Sequence, residues 1–199
     1  MVLIPLNSGP IQVSAGATLT WLRNYVYFKE NDDPTSKEKV KPYQSGGNQF
    51  VVSPEAKMSV EFIRHVFFKP RIIFTEVLGD DNGVLSIPSW FINAQLTYEN
   101  ELFNHHLQLQ AGVDAHWQTA YHALGYDIPI QQFYIQSAEV SPAFPLVDVF
   151  FTGKMRRARF FFKYHNLVQI ATNMGYLPTP GYPGQRNLLD FGFEFLLFD

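Results

Sequence analysis

The sequence predicts an all-β fold, an antiparallel up-and-down meander of about eight strands with one apolar and one polar face. Three observations predict it. Strict two-residue alternation of apolar and polar residues runs through most of the 199 residues, whereas helical 3.6-residue spacing is scarce. The alternating stretches are long, about a dozen residues, where strands of ordinary sheets run to five or six. The connections between them alternate between short and long.

Taken in order, residues 11–28 set Ile11, Val13, Ala15, Ala17, Leu19 and Trp21 on one face. Residues 50–62 are sharper: Phe50, Val52, Pro54, Ala56, Met58, Val60 and Phe62 alternate with Val51, Ser53, Glu55, Lys57, Ser59 and Glu61. Residues 71–78 form a short strand whose faces are ambiguous. Residues 87–98 place Trp90, Ile92, Ala94, Leu96 and Tyr98 opposite Asn93, Gln95 and Thr97. Residues 107–121 place Leu107, Leu109, Ala111, Val113, Ala115 and Trp117 opposite Gln108, Gln110, Gly112, Asp114, His116 and Gln118. Residues 145–156 set Val147, Val149, Phe151 and Met155 against Asp148, Thr152, Lys154 and Arg156. Residues 157–167 set Ala158, Phe160, Phe162 and Tyr164 against Arg157, Arg159, Lys163 and His165. Residues 187–198 set Leu189, Phe191, Phe193, Phe195 and Leu197 against Asp190, Gly192 and Glu194.

The short connections fall at 6–10, 63–70, 99–105 and the 156–157 junction, the long ones at 29–49, 79–86, 122–144 and 168–186. Tight turns at one end and long loops at the other are the pattern of a transmembrane barrel, and a soluble sandwich has no reason to sort its loops this way. Strands of this length also match the roughly 9–11 residues that cross a bilayer, with an interfacial margin. The expected fold is therefore an antiparallel up-and-down transmembrane β-barrel of about eight strands, one domain over residues 1–199. An eight-stranded barrel alone is only wide enough to fill with its own side chains. No apolar run approaches the roughly 20 residues of a membrane-spanning helix, and the mean hydropathy of −0.09 suits alternating strands. Aromatics close the strands where an interface would put them: Trp21, Tyr25, Tyr27 and Phe28, then Trp117 and Tyr121, then Phe195 and Phe198. In a soluble β protein the same rings would be core.

A net charge of −3 and a pI near 6.0 argue against a nucleic-acid partner bound by electrostatics. With no cysteine, thiolate metal sites and disulfides are absent. The start Met1-Val2-Leu3-Ile4-Pro5 lacks the basic and apolar regions of a signal peptide. Asp80-Asp81-Asn82-Gly83 reads as a hairpin turn, because Phe91 stands where a calcium loop needs Glu. His105-His106 has no third metal ligand at a telling spacing. No nucleophile elbow is present, so catalytic residues, cofactor and metal are not expected. The informative surface is the polar face. Its expected pore-lining residues are Glu55, Lys57, Glu61, Asp114, His116, Asp148, Lys154, Arg156, Arg157, Arg159, Lys163, Asp190 and Glu194. With Glu99 and Arg186 added, acids and bases balance, but the bases crowd on the sixth and seventh strands. A basic patch near the periplasmic end, partly balanced by Asp190 and Glu194, would draw anions mildly. The blander reading is that these charges pair across strands to fill a plugged interior.

Several short stretches together resemble a known family. They are Asn24-Tyr25-Val26-Tyr27-Phe28, Pro88-Ser89-Trp90, Leu109-Gln110-Ala111-Gly112-Val113-Asp114, Gln132-Phe133-Tyr134-Ile135-Gln136 and Val147-Asp148-Val149-Phe150. Then follow Lys154-Met155-Arg156-Arg157-Ala158-Arg159-Phe160-Phe161, Pro180-Gly181-Tyr182-Pro183-Gly184 and Phe191-Gly192-Phe193-Glu194-Phe195. In order and spacing the set resembles the C-terminal part of the putative porin family of Bacteroidetes outer membranes. The resemblance implies a Gram-negative outer-membrane barrel, passive passage of small solutes and no catalytic residues. It implies outer-membrane lipid, small solutes and, through the strand ending Phe198-Asp199, the barrel-assembly machinery as partners; an oligomer is compatible with it. Members of that family are longer and begin with a signal peptide, so the chain resembles a C-terminal portion. The expected function is a porin-like channel. Two alternatives stand beside it: a soluble or small closed barrel holding an apolar ligand within, and a structural outer-membrane barrel without transport.

Overall fold

The computed structural model describes residues 2–8, 11–33, 35–79, 82–172, 175 and 177–197. Its strands are β1 (Val2–Ser8), β2 (Ile11–Arg23), β3 (Val26–Glu30), β4 (Val40–Gln44), β5 (Asn48–Ile63), β6 (Val66–Phe74) and β7 (Glu76–Gly79). They continue with β8 (Trp90–Leu102), β9 (Leu107–Gln118), β10 (Gly125–Asp127), β11 (Gln132–Tyr134), β12 (Leu146–Met155), β13 (Ala158–His165) and β14 (Leu188–Phe195). A six-residue helix, α1 (Leu167–Thr172), follows β13.

One antiparallel sheet carries the chain, in the order β1-β2-β5-β6-β8-β9-β12-β13-β14, with β7 extending the β6 position along β5. The tight turns, at 64–65, 103–106 and 156–157, all lie at one end, as the sequence predicts. Each needs left-handed backbone, which His65, Phe103, Asn104, His105 and Arg156 adopt. The long connections lie at the other end. β1 and β14 are the two edges and do not pair with each other, so the described residues form an open arc of barrel wall.

Several boundaries depart from expectation. The stretch 11–28 is two strands, because Asn24 takes φ 51° and a left-handed residue cannot continue the ladder. β3 instead pairs with β4 in a separate hairpin, so the long connection expected at 29–49 begins already after β2. The 63–70 connection shrinks to the turn Arg64-His65, and β6 begins at Val66. β1 adds a strand that the alternation of its mixed residues does not announce. The 122–144 connection contains the β10/β11 hairpin. Phe198 and Asp199, expected to end the last strand, lie outside the described residues, as do Asp80 and Asp81 of the expected hairpin turn; residues 82–84 form a 3-10 turn.

The register fixes the faces, because directly paired residues of an antiparallel ladder point the same way. Ile11, Val13, Ala15, Ala17, Leu19 and Trp21 oppose Val60, Met58, Ala56, Pro54, Val52 and Phe50. The same face continues through Ile92↔Trp117, Leu96↔Val113, Val113↔Val149 and Phe151↔Phe162 to Phe162↔Phe191. This apolar face is open to the surroundings: Leu19 is 76% exposed, Phe191 74% and Phe193 70%. Burial is inverted relative to a water-soluble core. Among the described residues, the buried hydrophobic side chains are Val40, Val84, Ala123 and Tyr134, all at the long-loop end. The buried polar ones include Gln49, Thr97, Asp148 and Asn166. The sheet's apolar face has its complement outside the chain.

Candidate functional site: the polar wall

Rows of paired residues carry the polar face from strand to strand. Lys57 of β5 opposes Arg71 of β6, which opposes Asn93 of β8, which opposes His116 of β9. The next row runs Lys69, Gln95, Asp114 and Asp148 across β6, β8, β9 and β12. Toward the tight turns, Gln108, Lys154, Arg159 and Glu194 oppose one another on β9, β12, β13 and β14.

The charges on this wall are largely paired. Glu55 accepts from Lys57 at 2.7 Å and from Arg71 through two nitrogens at 2.9 and 3.3 Å. That fork geometry orients both groups. Glu99 meets Lys69 and also accepts from Thr97 and Gln110. His116 bonds Asn93. Asp114 and Asp148 are directly opposed carboxylates, which would repel if left alone. Lys163, reaching from β13, lies 3.0 Å from Asp148 and 3.7 Å from Asp114. Gln95 Nε2 donates to Asp114 at 2.7 Å, and the backbone N–H of Asn166 donates to Asp148 at 2.9 Å. The His165 ring sits between two carboxylates, Nδ1 at 3.1 Å from Asp148 and Nε2 at 2.9 Å from Asp190. One network thus ties β8, β9, β12, β13 and β14 together.

Aromatic rings also lie on this face. Phe150 and Phe161 fit over glycines: a Cβ on Gly112 would come within 3.0 Å of the Phe150 ring, and one on Gly192 within 2.3 Å of Phe161. The two glycines therefore make room for rings on a wall of otherwise polar groups.

Of the thirteen residues expected to line a pore, Glu55, Lys57, Glu61, Asp114, His116, Asp148, Lys154, Arg159, Lys163, Asp190 and Glu194 lie on strands, on the polar face. Arg156 and Arg157 do not. They form the tight turn between β12 and β13, where alternation ends, so their strand assignment is corrected. Arg186, counted with the bases, lies in the loop before β14. Sequence reading missed Lys69 and Arg71, which answer Glu99 and Glu55, because 63–70 reads as a connection and 71–78 has ambiguous faces. The signal was there: Phe67, Lys69, Arg71 and Ile73 share one face once the strand is started at Val66.

At the long-loop end the two small hairpins dock. Ile135 N–H donates to Phe28 O at 2.8 Å, and Tyr27 stacks between Tyr25 and Tyr43. Lys39 lies over the Tyr134 ring. On the intervening loop, Asp33 accepts from the hydroxyl and the N–H of Thr35, which hold its carboxyl below the usual range.

Among solved structures, the chain resembles the FrpB iron transporter from Neisseria meningitidis (F3-3 variant) with a TM-score of 0.62 at 13% identity, over 96% of this chain and 30% of that one. It resembles P. aeruginosa FpvA, in a complex with a heterologous pyoverdine and iron, with a TM-score of 0.58 at 14% identity, over 94% of this chain and 25% of that one. Both are outer-membrane β-barrel transporters, and at such identities the likeness is one of fold. The chain spans under a third of the length of either. No curated protein matches it. A family described as "Putative porin" matches residues 4–199, and the apolar outer face, sorted turns and paired polar wall described above are what such a barrel requires: the chain belongs to that family.

Proposed function

We propose that this chain is wall of an outer-membrane channel through which small solutes pass passively, with the polar face lining the water and the apolar face meeting lipid. The observation that carries the reading is the inverted burial. A continuous band from Trp21 to Phe193 is exposed, while Gln49, Thr97 and Asp148 are covered. Lipid supplies the complement of such a band, and a wet lumen the complement of the charged one. The apolar face is the exposed one, whereas a small barrel holding an apolar ligand inside would cover it. Short turns face the periplasm in such barrels, which puts 64–65, 103–106 and 156–157 on that side. The open edges β1 and β14 fit a wall completed by further strands. The test is liposome swelling with the purified protein and sugars of increasing size. Entry rates that fall with solute size support passive passage. Vesicles that admit none of the sugars, while the protein is shown to be folded and inserted, would leave a structural barrel without transport.

A further inference from the structure

The pairing on the polar wall leaves one place out of balance. Lys154 and Arg159 oppose each other directly across β12 and β13, two like charges in neighbouring positions. Lys154 has no carboxylate within 4.0 Å among the described residues. Among the described residues the single acid within 4.0 Å of Arg159 is Glu194, at 4.0 Å, and both of those side chains are more than half exposed. Two residues after Lys154 and two before Arg159 stand Arg156 and Arg157, the turn between the strands. Lys154, Arg156, Arg157 and Arg159, with Glu194 at the side, line a hollow of about 220 Å³. A wider trough of about 730 Å³ shares Lys154 and Arg159, adds Gln108 and Thr152 as neutral hydrogen-bonding groups, and reaches Arg64 and two acids of β8, Glu99 and Glu101. Elsewhere on the wall, Lys57, Lys69, Arg71 and Lys163 each meet a carboxylate.

From this contrast we infer that the tight-turn end of the β12–β13 hairpin is a binding site for a phosphate-type oxyanion, held by Lys154 and Arg159 with Arg156 beside them. An oxyanion is the group that removes the repulsion between two opposed cations. A guanidinium grips its oxygens in a fork while an ammonium adds a mobile point charge. The turn takes a left-handed residue at Arg156, φ 48°, which brings the Arg156 side chain to the hollow's rim. The inference rests on the channel reading for its orientation, with the hollow at the periplasmic mouth of the lumen. The ligand chemistry has two sources there, a free phosphate in transit and the phosphate of an anionic lipid headgroup.

Calorimetric titration of inorganic phosphate into the protein, folded in a lipid-free maltoside detergent, tests it. Saturable binding is expected, and Lys154→Gln/Arg159→Gln should weaken it about tenfold or more, the usual scale for losing charge-assisted bonds. Glu194→Gln should tighten it, a change of direction that damage to the fold would not produce. Phosphatidylglycerol added to the micelles separates the sources: competition assigns the site to a headgroup, and its absence to a free anion. No saturable binding, or equal binding by the folded double variant, overturns the inference. Binding by a protein that passes no ions in planar bilayers would keep this site and sink the channel reading. Ion conduction with no phosphate binding would do the reverse.

Discussion

Replacing Lys163 by Met probes whether the polar wall is held by its charge network. Lys163 separates Asp114 from Asp148, at 3.7 and 3.0 Å, and its aliphatic stem can be kept by Met while the charge is lost. The substitution leaves two directly opposed carboxylates without their shared cation. Removing one partner of a fully buried pair costs about 3–5 kcal/mol, and an exposed pair is worth about 1 kcal/mol or less. Here Asp148 is 11% exposed and Lys163 31%, between those limits. Asp148 also keeps His165 and the Asn166 N–H, which soften the loss. The expected cost is about 2 kcal/mol, measured by urea unfolding in lipid vesicles and followed by tryptophan fluorescence. Adding Asp114→Asn to Lys163→Met removes the repulsion, and the pair of changes should recover about half of the loss. A Lys163→Met protein as stable as the parent, or a double variant less stable than the single one, would refute the network as a source of stability.

Other outcomes can be checked alongside. Val113→Arg, on the apolar face, should destabilise insertion by about 2–4 kcal/mol, whereas Gln110→Arg, on the polar face beside Glu99, should cost far less in the same vesicles. Equal losses would mean that the faces are assigned wrongly. Gly192→Ala places a methyl 2.3 Å from the Phe161 ring and should cost about 1–3 kcal/mol, with most of it restored by Phe161→Leu. Protease added to intact cells should cut within 31–39, between β3 and β4, and spare 103–106; the opposite pattern would invert the topology. Asp33 has a lowered carboxyl pKa in the fold, so its contribution to that loop is present above the ordinary carboxylate range and is lost as the pH falls through its own titration. Proteolysis at 31–39 by an acid-active enzyme should therefore quicken with falling pH, and Thr35→Val should move the onset to higher pH.

How much of this was legible in the sequence depends on what each residue has to satisfy. Residues 50–62 and 107–118 could be placed on their faces because one face of the sheet is apolar and the other polar, which leaves each position a single choice of polarity. The same pressure sorts the loops. It fails where a strand carries mixed demands. β6 runs Val66, Phe67, Phe68, Lys69, Pro70, Arg71, Ile72, Ile73 and Phe74, with Phe67 and Ile73 on the polar wall among the charges, so alternation alone gives no parity. Parity there comes from partners on other strands, Glu55 and Glu99, which a single stretch of sequence does not display. The turn at 156–157 was legible, but its extent was not: alternation keeps Arg156 and Arg157 on the strands, whereas the left-handed φ at Arg156 takes both residues into the turn itself.

Pairing, in turn, decides what the wall can do. A list of charges by face counts equal acids and bases and so implies a nearly neutral lumen. The geometry shows that the balance is local and uneven. Glu55, Glu99, Asp114 and Asp148 meet Lys57, Arg71, Lys69 and Lys163 in direct contacts, so these carboxylates leave little field along the wall. Lys154 meets no carboxylate within 4.0 Å among the described residues and Arg159 meets one distant, exposed acid, so theirs is the field left over on the wall. Selectivity in such a wall follows the charges left over after pairing, not the total, and those left over stand at the tight-turn rim. Lys57→Gln, which leaves Glu55 its Arg71 partner, should therefore barely move the reversal potential in a salt gradient, while Lys154→Gln, an equal change of total charge, should move it toward cations. A shift of equal size from the two changes would mean that the total charge, and not its pairing, sets the field.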